Sequence, residues 1–146
     1  GKSVQKNKGF TLIELMVTIT VLAILATMAA PSFNEMIKKN QLSSDMREFL
    51  DLLAETRSEA IFKQSQQVLA LDASVSSYYK KLDSQYAIKE SGDLRVTFNR
   101  LGQSTITTNG QCFVFKHKND ANLKAYVYVQ KGGIVVYNKT ASSCPT

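Results

Sequence analysis

Apolar residues run almost without a break from Phe10 to Ala30, 21 positions that carry a single charge, Glu14. At about 1.5 Å per residue a helix of that length measures about 30 Å, enough to cross the hydrocarbon core of a bilayer. Beyond Pro31 the apolar positions recur in steps of three and four. Leu42, Met46, Phe49, Leu50, Leu53, Arg57, Ala60 and Ile61 share one face, while Arg47, Glu48, Asp51, Glu55, Glu59 and Lys63 populate the remainder. This spacing predicts an amphipathic helix whose stripe lies on a sheet, with the stretch from Phe10 to about Asn40 projecting as a stalk. Pro31 removes one helical hydrogen bond and crowds the preceding turn, so a kink or local unwinding is expected there.

After Gln67 the period falls to two. Val68–Leu71, Tyr78–Leu82, Gln85–Lys89, Val96–Phe98, Cys112–Phe115, Ala125–Val129 and Ile134–Tyr137 are short, rich in β-branched and aromatic residues, and separated by turn formers. Gln130-Lys131-Gly132-Gly133 predicts a tight hairpin between the last two. The expected fold class is therefore α+β, a long N-terminal helix with a transmembrane half and an amphipathic half, packed on an antiparallel β-sheet head.

Charge is distributed unevenly along the 146 residues, whose net is +6. Residues 1–9 carry three lysines and no acid, residues 10–77 five cations against eight acids, and residues 78–146 ten cations against four acids. Lys2, Lys6 and Lys8 beside the apolar run predict that the N-terminal end stays in the cytoplasm. The basic C-terminal half fits either a negative partner, such as nucleic acid, acidic lipid or an acidic protein, or a solvated lysine face. Cys112 and Cys144 match no metal knuckle or redox spacing. They read as a disulfide if the head lies outside the cytosol, which the membrane segment favours, and as two free thiols otherwise.

Glu14 is the informative anomaly, because an unpaired carboxylate in hydrocarbon costs several kcal/mol and marks a functional position that expects a partner. A cleavable secretory signal would keep that position apolar and would avoid a proline directly after its small-residue cleavage site, as Pro31 follows Ala30. An ordinary single-pass anchor leaves Glu14 unexplained.

Lys8-Gly9-Phe10-Thr11-Leu12-Ile13-Glu14-Leu15 resembles the class III signal of type IV prepilins. The resemblance implies that a prepilin peptidase cuts after Gly9 on the cytoplasmic side, that Phe10 becomes the N-methylated first residue, and that Glu14 pairs during assembly with the N-terminal amine of a neighbouring subunit. It also implies the type IV pilin fold, with residues 1–9 as leader, 10–34 as transmembrane and filament-core helix, and 35–146 as periplasmic globular head. The stretch Leu52–Leu71, "LLAETRSEAIFKQSQQVLAL", and Val96–Gln103, "VTFNRLGQ", are similar to segments of the GspH/FimT family of minor pilins and pseudopilins. That likeness implies a subunit stored in the bacterial inner membrane and extracted into the pilus fibre or tip, with other major and minor pilins as partners. The expected function is to prime pilus assembly or form the tip, supporting twitching, adhesion or DNA uptake. A second reading is a DNA receptor in natural transformation, and a third a type II secretion pseudopilin.

The DNA-binding branch is associated with interleaved arginines in the C-terminal tail, whereas Val136–Cys144 carries one lysine and no arginine. Lys116, Lys118, Lys124, Lys131 and Lys139 remain as candidate DNA-binding cations, with Tyr126, Tyr128 and Tyr137 as stacking surfaces or, alternatively, as core residues. His117, flanked by two lysines, reads as a surface residue. No catalytic group, metal site or cofactor is expected, since the sequence has no glycine-rich phosphate loop, no histidine besides His117, and no carboxylates at metal-ligand spacing.

Overall fold

The computed structural model describes residues 9–145. One helix, α1 (Leu12–Lys63), is followed by seven strands: β1 (Gln67–Ala70), β2 (Lys80–Lys81), β3 (Ala87–Ser91), β4 (Arg95–Phe98), β5 (Gly110–His117), β6 (Asp120–Gln130) and β7 (Val135–Tyr137). The chain divides into two compact units between Ile37 and Lys38. In the first unit the side chains from Leu12 to Ile37 are exposed or nearly so, and the helix continues through Pro31 without a break. The expected unwinding is absent because proline's φ is itself helical, so only the one hydrogen bond is lost.

The second unit contains the core. Leu42, Met46, Phe49, Leu53 and Ala60 of α1 are buried, and they pack with Leu69, Val96 and Phe98 and with Phe113, Phe115, Ala125, Val127 and Val129. Phe49 sits edge-on to both Phe113 and Phe115, with ring centroids 5.8 and 5.1 Å away, the arrangement that ring quadrupoles prefer. Ile61, expected on the buried stripe, is 41% exposed. Its side chain lies beside Gly102, and Arg57 of the same face turns its Nε to donate to the Gly102 carbonyl at 2.8 Å. α1 stops at Gln64, which adopts φ of 50°. Its N–H bonds Ile61 O and the Ser65 N–H bonds Ala60 O, closing the helix with the paired bonds of a Schellman motif on a non-glycine residue.

The strands form two sheets, one ordered β2-β1-β4 and one ordered β3-β5-β6-β7. All pairings are antiparallel except β1 with β2, a two-residue parallel contact where the alternation predicts a longer antiparallel strand. The nine residues between β1 and β2 loop back so that Tyr79 N–H and Leu82 N–H reach the Val68 and Ala70 carbonyls, and the extended stretch ends there. The expected hairpin joins β6 to β7, closed by Gln130 N–H to Ile134 O at 2.8 Å. Gly133 in that turn has φ of 95°, and a Cβ there would lie 2.7 Å from Arg57 Nε and collide with the Gly102 carbonyl oxygen, so glycine is required.

Two connections fasten the head. Buried Asp45 accepts backbone hydrogen bonds from Tyr86 at 2.6 Å and Ala87 at 2.8 Å, tying α1 to the start of β3 across about forty residues of sequence. Cys112 and Cys144 form a disulfide with Cα atoms 6.1 Å apart, pinning the tail to β5. Replacing Asp45 by alanine leaves two backbone donors without their acceptor and is expected to destabilise the head by about 2–3 kcal/mol. Chemical denaturation checks this, and a loss below about 0.5 kcal/mol would remove the carboxylate from any structural role. Reducing the disulfide should lower stability by about 3–4 kcal/mol for a closed loop of this length, read as a lower melting temperature in dithiothreitol. An unchanged melt would show that the bridge does not constrain the unfolded chain.

Candidate functional site

At the N-terminal end of α1 the site residues lie within six positions, from Gly9 to Glu14. Gly9 and Phe10 lie outside the helix, Phe10 being 81% exposed, and Thr11 is the cap. The Thr11 hydroxyl accepts the Glu14 N–H at 3.1 Å, while Glu14 Oε1 accepts the Thr11 hydroxyl at 3.1 Å and the Thr11 N–H at 3.5 Å. This is the reciprocal capping box that Thr-x-x-Glu encodes at a helix start. It gives Glu14 an intrachain partner in addition to the intermolecular one expected from the sequence, and it places negative charge where the helix dipole favours it. Both bonds fall on Oε1, so the second carboxylate oxygen keeps its acceptor capacity for another donor. The leader reading falls on residues 1–8 and lies outside the described residues, apart from Gly9.

On the head, the five candidate lysines do not form one patch. Lys116 on β5 lies directly across from Lys124 on β6. Lys124 is bound to Glu90 of β3, with Nζ 2.9 Å from Oε2. The mutual hydrogen bond holds the Glu90 carboxyl below its ordinary value and the Lys124 ammonium above its own. Lys118 stands 5.2 Å from the centre of the Tyr86 ring, close enough for a cation–π contact. Lys131 is at the β6–β7 turn, at the opposite end of β6 from Lys124, and Lys139 lies in the tail after β7. Tyr126, Tyr128 and Tyr137 are half-buried; the first two alternate with the buried Ala125, Val127 and Val129 and so occupy the other face of β6.

His117 corrects a sequence expectation. It is 1% exposed, stacked on Tyr86 and linked through Nε2 to Gln41 Oε1 at 2.8 Å. Its Nδ1 accepts the Asn119 N–H at 3.1 Å, which makes Nε2 the protonated nitrogen and fixes the neutral tautomer. The period-two pattern of Phe113, Phe115 and His117 carries the signal that its two lysine neighbours obscure. Lys39 of α1 is a further cation that the strand pattern does not bring forward. It lines an open groove of about 560 Å³ with Leu42, Leu123, Lys124, Tyr126 and Lys139. Among the described residues no cluster of three or more histidine, cysteine, aspartate or glutamate side chains is arranged to hold a metal.

Comparison with known proteins adds to this geometry. The family described as "Prokaryotic N-terminal methylation motif" matches residues 4–30. The chain is 50% identical over 42 residues to the type IV major fimbrial protein FimA of Dichelobacter nodosus, 29% of this chain and 25% of the relative. It is 46% identical over 39 residues to the fimbrial protein EcpC of Eikenella corrodens, 27% of this chain and 26% of the relative. The matches thus span about a quarter of these relatives' length. Among solved structures the fold is similar to that of the type IV minor pilin FimU of Pseudomonas aeruginosa, with a TM-score of 0.56 and 17% identity over 73% of this chain and 96% of the other. An N-terminal methylation motif and a head whose fold is similar to that of FimU thus occur in one polypeptide.

Proposed function

We propose that the chain acts as a minor type IV pilin, a non-enzymatic structural subunit that helps to prime pilus assembly or to form the pilus tip. The observation that carries the proposal is Glu14, an acidic residue near the start of an otherwise apolar helix whose capping bonds leave one carboxylate oxygen free. In this reading a prepilin peptidase cuts after Gly9, Phe10 becomes the methylated N-terminus, and residues 10–34 hold the subunit in the inner membrane until it is extracted. The new amine of a neighbour then meets Glu14. In hydrocarbon an amine and a carboxylate attract far more strongly than in water, and each would otherwise be buried unpaired, so the pair fixes the axial register of packed helices. Major and minor pilins are the partners, and the head reaches the cell surface with the fibre.

Replacing Glu14 by alanine should leave leader cleavage and membrane insertion intact while lowering recovery of the subunit in sheared pili at least about tenfold, the factor that about 1.4 kcal/mol represents. Normal incorporation would defeat the pairing argument. Loss of the protein from the membrane fraction would instead point to the capping box as an insertion requirement.

The rival reading, a DNA receptor, draws on the basic head and on the adjacency of Lys116 and Lys124. Against it stand the neutralising contact of Lys124 with Glu90 and the placement of Lys118 and Lys131 outside the groove that Lys124 and Lys139 share, since non-specific affinity depends on several phosphates being met at once. Titration of a fluorescent duplex against the detergent-solubilised chain should give binding no tighter than about 100 µM at physiological salt. Micromolar binding that weakens steeply with salt and is lost when Lys116, Lys118 and Lys139 are neutralised would promote the receptor reading. A type II secretion pseudopilin would rest on the same helix and the same Glu14 pairing.

A further inference from the structure

β6 is eleven residues long, but β7 covers little of it. β5 pairs with β6 along nearly its full length, whereas β7 pairs only with Val127, Tyr128 and Val129. On that side the stretch from Asn122 to Tyr126 therefore has no strand beside it, and among the described residues the tail makes no backbone hydrogen bond to it. Apart from the Asn122 N–H, which donates to Asp120 Oδ1 at 3.1 Å, this leaves a row of backbone donors and acceptors without a strand partner, a template for another strand. Here the row lines the groove of about 560 Å³, together with Leu42 and Ser43 of α1 and Lys139–Ser142 of the tail.

The chemistry of the groove selects its occupant. Three cations line it, from three separate elements: Lys39 of α1, Lys124 of β6 and Lys139 of the tail. No carboxylate does. Lys124 is shared with Glu90, but no salt bridge is formed by Lys39 or Lys139 among the described residues. Leu42, Leu123 and Tyr137 add apolar surface to the lining. Five residues of strand cover about 17 Å, and the groove's volume lies within the usual range for ligand pockets, about 300–1,000 Å³. A DNA duplex is too wide to enter such a space. A second copy of this chain is disfavoured by charge, since residues 38–146 carry fifteen cations and ten acids.

We infer that the open edge of β6 at Asn122–Tyr126 is a strand-addition site for an extended segment of alternating acidic and apolar residues from a different pilin-like subunit. Backbone hydrogen bonds to β6 supply the affinity, and Lys39 and Lys139 select for acidic side chains. Naming the partner as a subunit rests on the reading of the chain as a minor pilin, but the site itself is tested without filaments.

The test uses the full chain, labelled with nitrogen-15 in detergent micelles, and the peptide acetyl-Glu-Val-Glu-Val-Glu-amide. Expected are amide shifts confined to Leu123, Lys124, Ala125, Tyr126 and the Lys139–Ser142 tail, with slowed hydrogen exchange at β6. Affinity should fall at least tenfold in a Lys39→Glu, Lys139→Glu double variant whose free spectrum is otherwise unchanged. It should fall as far for a peptide N-methylated on its backbone, and for the Lys-Val-Lys-Val-Lys counterpart. Equal binding of the N-methylated peptide would overturn strand addition, and tighter binding of oligothymidylate at the same residues would hand the groove to single-stranded nucleic acid. No shift at millimolar peptide would overturn the site altogether. Normal incorporation of the Glu14→Ala variant would count against the pilin reading and so against naming the partner as a subunit, while the strand-addition site stands or falls on the peptide titration alone.

Discussion

The contact between the Leu42–Ala60 stripe of α1 and the inner faces of the two sheets is the interaction on which the head depends. Neither side of it is stable alone. A three-stranded and a four-stranded sheet of short strands each present one apolar face that must be covered, and a single amphipathic helix is marginal in water without tertiary packing. Phe49 is central to this layer because it reaches both Phe113 and Phe115 on β5, so one side chain fixes where the helix crosses the larger sheet. Val96 and Phe98 on β4 and Leu69 on β1 extend the same layer to the smaller sheet.

Apolar packing of this kind sets distance better than it sets register, and polar contacts supply the remainder. Asp45 grips the backbone at Tyr86 and Ala87, and Arg57, about three helical turns further along, reaches the Gly102 carbonyl. Gln41 meets His117 at the other end of the stripe. These partners are directional and cost free energy if left unmade in a buried setting, so a helix slipped by one residue would lose all three together. The disulfide acts on a different part of the chain: it holds the tail beside β5, where Lys139 and its neighbours line the groove.

The division of the sequence into an apolar run, an amphipathic helix and a strand-rich half was legible because each has its own period. Cys112 and Cys144 were legible once the membrane segment implied an oxidising compartment. The exceptions share a cause: they depend on which elements meet. Ile61 fits the apolar stripe by spacing, yet it is 41% exposed, and no local pattern records how much of a helix face the sheets cover. Asp45 looks like one more solvated acid until the β3 backbone is brought to it. Lys118 and Lys124 look free until Tyr86 and Glu90 are placed beside them. His117 and the Thr11–Glu14 box are different, because their signals were local: a third step in the Phe113, Phe115 alternation, and a Thr-x-x-Glu spacing at a helix start.

That capping box gives Glu14 a role within its own chain. A carboxylate with no partner in hydrocarbon carries a desolvation cost of several kcal/mol. Thr11 supplies two donors to Oε1 from within the chain itself, and the carboxylate sits at the positive end of the helix dipole. The second oxygen remains available, so a neighbour's amine can add to the arrangement without first breaking it. The chain's own helix start therefore carries part of the cost of keeping an acid in this segment. This accounts for a position at the helix's first turn: deeper in the segment the backbone N–H groups are already bonded within the helix, and no capping contact could hold the carboxylate ready.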